Sequence, residues 1–384
     1  MRIFNHDITL STHDHEAGNH LFSGRALALT RPKDKIQINP ELVSEWTYIV
    51  DHYAQIGLSH CHNVIWSCSL NEINHHSEYE PSFYFFGDAV NSHQQHRQFF
   101  TQLNSRWCEV VEFINSKNNF IQLAEDLGVP VPKTRRFANL AAAKAASDIP
   151  FPCYVKPAVS DHGAGIARCV DQSALDNAFA QLDPNASLQI QAEVQASAFL
   201  NLQYRVTAEG VQPLLVSEQV LEGCVHRGNR YPSEHTPWEE IKPLANWLAE
   251  HGMQGIFAVD VAVVPTSNGV EYLAIECNPR FNGSSYPTLV AQRLEIPCWS
   301  SATYKTHLRS LRDIDLTDIA FNPYKGRGVI LINWGKIKVG EISVLLAGSP
   351  VEQFALDQEL KARLNGDFEV AASADASREL ALQG

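Results

Sequence analysis

The chain has 384 residues, 45% of them hydrophobic, and a formal net charge of −13 at pH 7. This length predicts two or three structural units, and the acidic charge argues against a nucleic-acid partner, whose phosphates require a basic face. No segment is apolar enough for an uninterrupted membrane span, and the first residues show no secretory signal. The eight cysteines are scattered without a C-x-x-C pair, which favours reduced thiols and a cytoplasmic protein.

The first 114 residues predict a degenerate α/β domain. Residues 62–68 and 82–86 have the composition of strands, and a helical pattern follows over 93–104. A clearer helix is predicted from residue 117, because apolar residues recur on one face until Gly128 and Pro130 end it.

A lysine-bearing strand and a glycine-rich loop come next. Residues 151–157 form the predicted strand, which carries Lys156, and a loop of small residues leads into a second strand at 166–170. Gly163 and Gly165 allow backbone N–H groups to turn inward and hold phosphate oxygens. Because the loop joins two strands and has no G-K-[ST], it is not a Walker loop, and alone it is most often a simple turn.

The predicted strand 256–264 is almost wholly apolar, but Asp260 interrupts it, and a carboxylate there is costly without a partner. Ser267-Asn268-Gly269 predicts a hairpin turn. A three-residue loop pairs residue 266 with 270 and places Asp260 opposite Glu276, whereas a two-residue Asn-Gly loop would place it opposite Cys277. We predict the first register because it explains the acid. The alternative is a carboxylate tied to a neighbouring basic residue.

The returning strand ends in Glu276-Cys277-Asn278-Pro279-Arg280. Side chains alternate in a strand, so Glu276 and Asn278 share one face and offer oxygen ligands suited to Mg²⁺. Arg280 follows where Pro279 must end the strand, and its guanidinium can reach a phosphate held by that metal. The sequence therefore predicts a nucleotide-phosphate site; the alternative is a buried strand followed by a solvated loop.

The order of these features resembles the ATP-grasp superfamily over about residues 115–290. The features that carry the resemblance are Lys117, the G-V-P-V-P segment at 128–132, Val155-Lys156-Pro157 with its glycine loop, Gln191-Ala192-Glu193, Asp260 and Glu276-x-Asn278-Pro279-Arg280. The resemblance implies an α/β and α+β fold in which two lobes, 115–190 and 191–310, clamp ATP. An N-terminal α/β pre-ATP-grasp domain (1–114) and a small strand-rich closing domain with an Ala/Ser-rich tail (311–384) would flank this core.

The resemblance also implies roles for the matching residues. Lys117 and Lys156 would hold the α- and β-phosphates, the loop 160–165 would cover the γ-phosphate, and Arg280, with Lys156, would act on the transferred phosphoryl group. The implied nucleotide contacts are Lys117, Lys156, Ser160, His162, Gly163, Gly165, Gln191, Glu193 and Asn201. The implied ligands of Mg²⁺ or Mn²⁺ are Asp260, Glu276 and Asn278.

Two departures from the family pattern concern these sets. Asp260 is shorter than the Glu or Gln of many members. Residues 197–201 contain no acid for the ribose, so Asn201 is named in its place.

By this resemblance the chain is similar to stand-alone amino-acid or peptide ligases more than to biotin carboxylases or purine enzymes. ATP would convert a small-molecule carboxylate into an acyl phosphate, and an amine would displace phosphate. The sequence leaves open whether the protein forms a homodimer. A phosphotransferase on the same fold and a catalytically silent nucleotide-binding protein are the alternatives. The candidate substrate contacts are Arg227, Arg230, Asn282 and Gly283, although the first two also fit a surface turn.

Overall fold

The computed structural model describes residues 1–10, 18–87, 94–160, 165–223 and 225–381. The chain divides into two compact units: the first comprises Met1–Asp7, His15–Phe83 and Tyr286–Gly384, and the second comprises Ile8–Asp14 and Tyr84–Ser285. Every candidate site residue falls within the second unit. The predicted domain limits at residues 114 and 310 stay predictions.

The first unit contains a parallel four-stranded sheet in the order β3-β2-β1-β4. Its strands are β1 Arg2–Asn5, β2 Lys35–Gln37, β3 Asn63–Ile65 and β4 Glu80–Phe83. The helices α1 (Trp46–Gln55) and α2 (Leu70–Ile73) lie in the connections, because parallel strands require crossovers. The α/β character predicted for this part of the chain is confirmed.

The C-terminal part of the first unit is an antiparallel group of three strands followed by a long helix. The strands are β14 Trp299–Lys305, β15 Gly328–Asn333 and β16 Glu341–Ala347, with β16 in the middle. The flanking helices are α8 Ser285–Arg293 and α9 Pro350–Ala381. The tail predicted from residue 371 is therefore helical as far as Ala381. Among the described residues no helix is long and apolar enough to cross a membrane.

The second unit begins with helices and a four-stranded antiparallel sheet in the order β5-β8-β6-β7. The elements are α3 Gln94–Asn115, α4 Lys117–Asp126, β5 Thr134–Phe137, α5 Leu140–Lys144, β6 Cys153–Pro157, β7 Ala167–Cys169, α6 Gln172–Phe179 and β8 Leu188–Ala192. Helix α3 is kinked at Asn104, where the sequence predicted its end.

The two faces of this sheet differ because side chains alternate along each strand. On one face Val155, Leu188 and Ile190 join a buried apolar cluster with α5 and α6. On the other face Lys156 lies directly opposite Gln189, and both side chains are buried. A buried face made of polar side chains is costly unless it serves a ligand or a network.

The second sheet of this unit is antiparallel, and its strands here follow the order β13-β12-β9-β10-β11. They are β9 Ala198–Thr207, β10 Gly210–Glu222, β11 Val225–Tyr231, β12 Gly255–Thr266 and β13 Gly269–Asn278, with helix α7 (Trp238–Glu250) between β11 and β12. Strand β12 lies between β9 and β13, and its segment from Ile256 to Val263 is buried except for the half-buried Asp260, as its apolar sequence predicted.

Candidate active site

The hairpin of β12 and β13 places Asp260 opposite Glu276, as predicted, but its turn is tighter than predicted. Thr266 pairs with Gly269 instead of Val270, so the loop has two residues. Gly269 has a φ of +135°, which side-chain-bearing residues rarely adopt. The predicted three-residue loop is therefore wrong.

A β-bulge restores the register that the loop alone would not give. Val261 pairs with Ala274, whereas Asp260 pairs with Glu276, so Ile275 is the additional residue on β13. A bulge re-aims the side chains beyond it. Here it returns Glu276 to the face of Asp260.

Two buried lysines approach Glu276 from other elements. Lys117, at the first position of α4, places its Nζ 3.1 Å from Glu276 Oε2, and its side chain is 9% exposed. Burial acts to raise the pKa of Glu276, but the charges of Lys117 and Lys156 lower it below its ordinary value. Glu276 is therefore held as a carboxylate.

Asp260 lies in the opposite electrostatic environment. Its Oδ1 accepts a hydrogen bond from Asn201 Nδ2 at 2.7 Å, and its Oδ2 accepts one from Asn278 Nδ2 at 3.0 Å. Burial and then the negative charge of Glu276 raise the pKa of Asp260 to about 7. The two carboxylates repel each other, so a divalent cation would stabilise both.

The donor atoms in this cluster fit such a cation. Asn201 Oδ1 is buried, and no described residue forms a hydrogen bond with it. Carboxylate and amide oxygens are the ligands that Mg²⁺ takes, usually completed by water and phosphate oxygens. Over the described ranges, no group of three or more His, Cys, Asp and Glu side chains is arranged to hold a metal. The ribose role given to Asn201 stays a prediction, and the structure places this residue beside Asp260.

Arg280 is fixed by residues that the sequence analysis missed. Its Nη1 donates to Asn115 Oδ1 at 2.9 Å, its Nε donates to Tyr84 Oη at 3.3 Å, and its Cζ lies 4.2 Å from the ring centre of Phe86. Nη2 donates to Asn278 Oδ1 at 3.3 Å. The i, i+2 spacing of Tyr84 and Phe86 is a signal that could have grouped them, but no local pattern connects Asn115 with Arg280.

Lys156 is positioned by the polar face of the first sheet. Its Nζ donates to Gln191 Oε1 at 2.7 Å, and Gln191 Nε2 donates to Thr134 Oγ1 at 3.0 Å. We call Lys117, Lys156, Asp260, Glu276 and Arg280 the charged cluster. Its members come from α4, β6, β12, β13 and the turn after β13.

The glycine-rich loop begins beside this cluster. Lys117 Nζ donates to Ser160 Oγ at 3.3 Å. Gly165 has a φ of +75°, and a Cβ there would lie 2.8 Å from Pro157 Cγ, so the position requires glycine. His162 and Gly163, predicted to contact the nucleotide, lie outside the described residues.

Glu193, predicted to contact the nucleotide, forms an ion pair with Arg168. Arg168 Nε and Nη2 donate to its two carboxylate oxygens at 2.6 and 2.8 Å, and Tyr154 Oη donates to Oε1 at 3.1 Å. The hydrogen bonds from Arg168 lower the pKa of Glu193. The nucleotide role of Glu193 stays a prediction.

The four candidate substrate residues divide into two pairs. Arg227 and Arg230 are largely exposed and form ion pairs with Glu222 and Glu218 on the neighbouring strand β10, at 2.7 and 3.5 Å. Their substrate role stays a prediction.

The second pair lies in the turn after Arg280. Asn282 Oδ1 accepts the backbone N–H groups of Ser284 and Ser285 at 2.9 and 3.1 Å, which fixes this turn. Gly283 lies against His226 of β11: a Cβ on Gly283 would be 3.4 Å from the Cε1 of that histidine.

Comparisons with known proteins agree with this architecture. Residues 114–284 match the family model described as the ATP-grasp domain. N5-carboxyaminoimidazole synthetase from Staphylococcus aureus, complexed with ADP, has a similar structure, with a TM-score of 0.61, 12% identity, and coverage of 94% of this chain and 96% of that chain. Biotin carboxylase from Campylobacter jejuni, in a β-γ-ATP complex, gives a TM-score of 0.58 at 13% identity, over 90% and 87% of the two chains.

A third structure, N5-carboxyaminoimidazole ribonucleotide synthetase from Thermus thermophilus, gives a TM-score of 0.55 at 13% identity, over 95% of this chain and 98% of that chain. Two of the three structures are N5-carboxyaminoimidazole synthetases and one is a biotin carboxylase. The sequence analysis had instead favoured similarity to stand-alone amino-acid or peptide ligases. At these identities the three structures bear on the fold alone, so the substrate class stays a prediction. The predicted fold class is confirmed, and residues 114–284 of this chain are an ATP-grasp domain.

Proposed function

We propose that this chain is an ATP-dependent ligase that joins a carboxylate to an amine and releases ADP and phosphate. The observation that carries this proposal is the charged cluster, in which two buried lysines and Arg280 face two opposed carboxylates within an ATP-grasp domain. Similar structures include complexes with ADP and with a β-γ-ATP ligand, and they are named as synthetases and a carboxylase.

The residues of the cluster divide into two roles. Lys117, Lys156 and the loop that begins at Ser160 would bind the phosphates of ATP, because ammonium groups are point charges suited to phosphate oxygens. Asp260, Glu276 and Asn278 would hold Mg²⁺ or Mn²⁺. When bound, the metal would neutralise charge on the terminal phosphates.

Arg280 would stabilise the transferred phosphoryl group. A carboxylate oxygen of the acid attacks the γ-phosphorus, the bond to ADP breaks, and an acyl phosphate forms. The contacts of Arg280 with Asn115, Tyr84 and Phe86 hold its guanidinium in place before charge develops, so little reorganisation is required during the reaction. The amine then displaces phosphate from the acyl carbon and forms the amide.

The substrates would be small molecules, with an amino acid or a related small acid as the donor. The turn of Asn282 and Gly283 supports this assignment, because it follows Arg280 directly and its backbone is fixed by hydrogen bonds. Its polar groups are amides and hydroxyls, which suit short polar substrates.

The test is to trap the acyl phosphate. Purified protein is incubated with ATP, Mg²⁺, hydroxylamine and each protein amino acid in turn, and hydroxamate, ADP and phosphate are measured. The expected result is hydroxamate together with equal amounts of ADP and phosphate, and ¹⁸O from the donor carboxylate in the phosphate. AMP as the product, or phosphate that contains no oxygen from an acid that is consumed, would contradict the ligase proposal.

A further inference from the structure

Asn201 lies in one row with the two acids of the charged cluster. It pairs directly with Asp260 of β12, which pairs in turn with Glu276 of β13. Directly opposite residues of an antiparallel sheet point to the same face, so these three side chains share one face. The residues on either side, Leu200 and Leu202, point to the other face, where both are fully buried. Asn201 is therefore directed to the same space as the two carboxylates.

The amide of Asn201 is attached to this site through its nitrogen. Its Nδ2 donates to Asp260 Oδ1 at 2.7 Å. A carboxylate only accepts hydrogen bonds, and in an amide only the nitrogen donates them. This hydrogen bond therefore fixes which end of the Asn201 amide is the oxygen.

The oxygen of this amide has no described partner. Asn201 is 3% exposed, and its Oδ1 forms no hydrogen bond with any residue in the described ranges. The second amide at Asp260 differs: Asn278 Nδ2 donates at 3.0 Å, but Asn278 Oδ1 accepts a hydrogen bond from Arg280 Nη2 at 3.3 Å. A buried carbonyl oxygen without a donor is costly unless water or a cation satisfies it.

We propose that Asn201 Oδ1 is an oxygen ligand of the divalent cation that Asp260 and Glu276 would hold; this rests on the ligase activity proposed above. Amide carbonyl oxygens are suitable ligands for Mg²⁺ and Mn²⁺. The sequence analysis assigned Asn201 to the ribose. In ATP, however, the α- and β-phosphates separate the ribose from the terminal phosphate, so a side chain bonded to an acid of the metal site lies away from the ribose hydroxyls.

The test measures metal binding instead of the reaction. Mn²⁺ is titrated into protein with ADP, and electron paramagnetic resonance gives the free Mn²⁺ and, from line broadening in ¹⁷O-labelled water, the number of water molecules on the bound ion. Asn201→Ala has room for a water molecule in place of the amide, whereas Asn201→Asp keeps an oxygen but loses the donor to Asp260. Ser217→Ala is the matched control, since Ser217 lies opposite Asn201 on β10 and is fully buried.

For Asn201→Ala we expect the dissociation constant of Mn²⁺ to rise about tenfold to a hundredfold, and the bound ion to carry one more water molecule than in wild type. Asn201→Asp should keep the wild-type water count. Ser217→Ala should keep that count and bind Mn²⁺ within about twofold of wild type.

Three results would overturn the ligand role. An unchanged water count in Asn201→Ala would mean that Asn201 only positions Asp260. An additional water molecule in Asn201→Asp would mean that the oxygen at this position does not reach the ion, and this variant decides if Asn201→Ala does not fold. An equal loss of Mn²⁺ affinity in Ser217→Ala would show that any change on this face of the sheet weakens the site.

A second measurement separates the metal from the ribose. With EDTA in place of Mn²⁺, Asn201→Ala should bind ADP within about twofold of wild type. A loss of ADP affinity that persists in EDTA and disappears with 2′,3′-dideoxy-ADP would show that Asn201 contacts the ribose instead. A wild-type protein that binds neither ADP nor Mn²⁺ would overturn the ligase proposal, and this inference with it.

Discussion

The charged cluster and the Asn229 network, which consists of Ser217, His226, Asn229 and Ser284, both include side chains from the second sheet of the second unit but use different chemistry. In the charged cluster, cations from α4 and β6 face carboxylates of β12 and β13. In the Asn229 network, the Asn229 amide accepts a hydrogen bond from Ser284 Oγ at 2.6 Å, donates one to Ser217 Oγ at 3.0 Å and lies 2.7 Å from His226 Nε2, so the groups are one amide, two hydroxyls and an imidazole. Removing a charge leaves its partners buried and uncompensated, whereas removing a neutral partner costs one hydrogen bond. The two regions should therefore respond to mutation on different scales.

The largest effect is expected at Glu276. Glu276→Ala removes a carboxylate from between two lysines and from the proposed metal site, so kcat should fall by at least about a hundredfold. Steady-state ADP formation measures this loss. Glu271→Ala, an exposed acid on the same strand, is the control and should retain wild-type activity. Full activity of Glu276→Ala at ordinary Mg²⁺ would mean that the charged cluster is structural.

A smaller and more selective effect is expected at Lys156. Lys156→Ala should raise the dissociation constant of ATP by about tenfold to a hundredfold, because the lost contact is charge-assisted and directed at phosphate. The dissociation constant of adenosine should stay almost unchanged. Calorimetry with both ligands, and with the exposed control Lys144→Ala, tests this selectivity. Equal weakening of the two ligands would show that Lys156 shapes the fold and not the phosphate contact.

A mutation in the Asn229 network should lower the free energy of unfolding but leave nucleotide affinity almost unchanged. Ser217→Ala removes the acceptor of Asn229 Nδ2 at a fully buried position, so the free energy of unfolding should fall by about 1–2 kcal/mol. The dissociation constant of ADP should stay within about twofold of wild type, because no member of the network belongs to the charged cluster. Chemical denaturation and calorimetry check the two expectations, and a large loss of ADP affinity would show that the two regions are coupled.

The sequence predicted much of the hairpin but little of what surrounds it. The pairing of Asp260 with Glu276 was predicted correctly, but from a three-residue loop, whereas the structure reaches this pairing with a two-residue turn and a bulge. The bulge at Ile275 could not be predicted, since a bulge leaves no residue-type signature here and only the full ladder defines it.

Long-range partners escaped the sequence analysis for a related reason. Asn115 lies 165 positions from Arg280 along the chain, and no periodicity joins them. Asn229 was passed over because a single amide on a strand has no pattern of its own, although its burial and its contacts make it the centre of the network. The positions of Lys117 and Lys156 were predicted through family resemblance, which supplied long-range information that local patterns do not contain.

The smallest expected effect has the opposite sign and concerns the polar face that carries Lys156. Gln189 is fully buried opposite Lys156, and neither its Oε1 nor its Nε2 forms a hydrogen bond with any residue in the described part of the chain. Gln189→Met keeps the length of the side chain but removes two unsatisfied polar atoms, so the free energy of unfolding should rise by about 1 kcal/mol. Tyr204→Phe is the matched control for a buried polar atom remote from Lys156, because the Tyr204 hydroxyl is also buried without a described hydrogen-bond partner. Both variants should unfold at higher denaturant concentration than wild type. A destabilised Gln189→Met beside a stabilised Tyr204→Phe would show that the amide of Gln189 is satisfied by bound water, and that the polar face is hydrated when no nucleotide is bound.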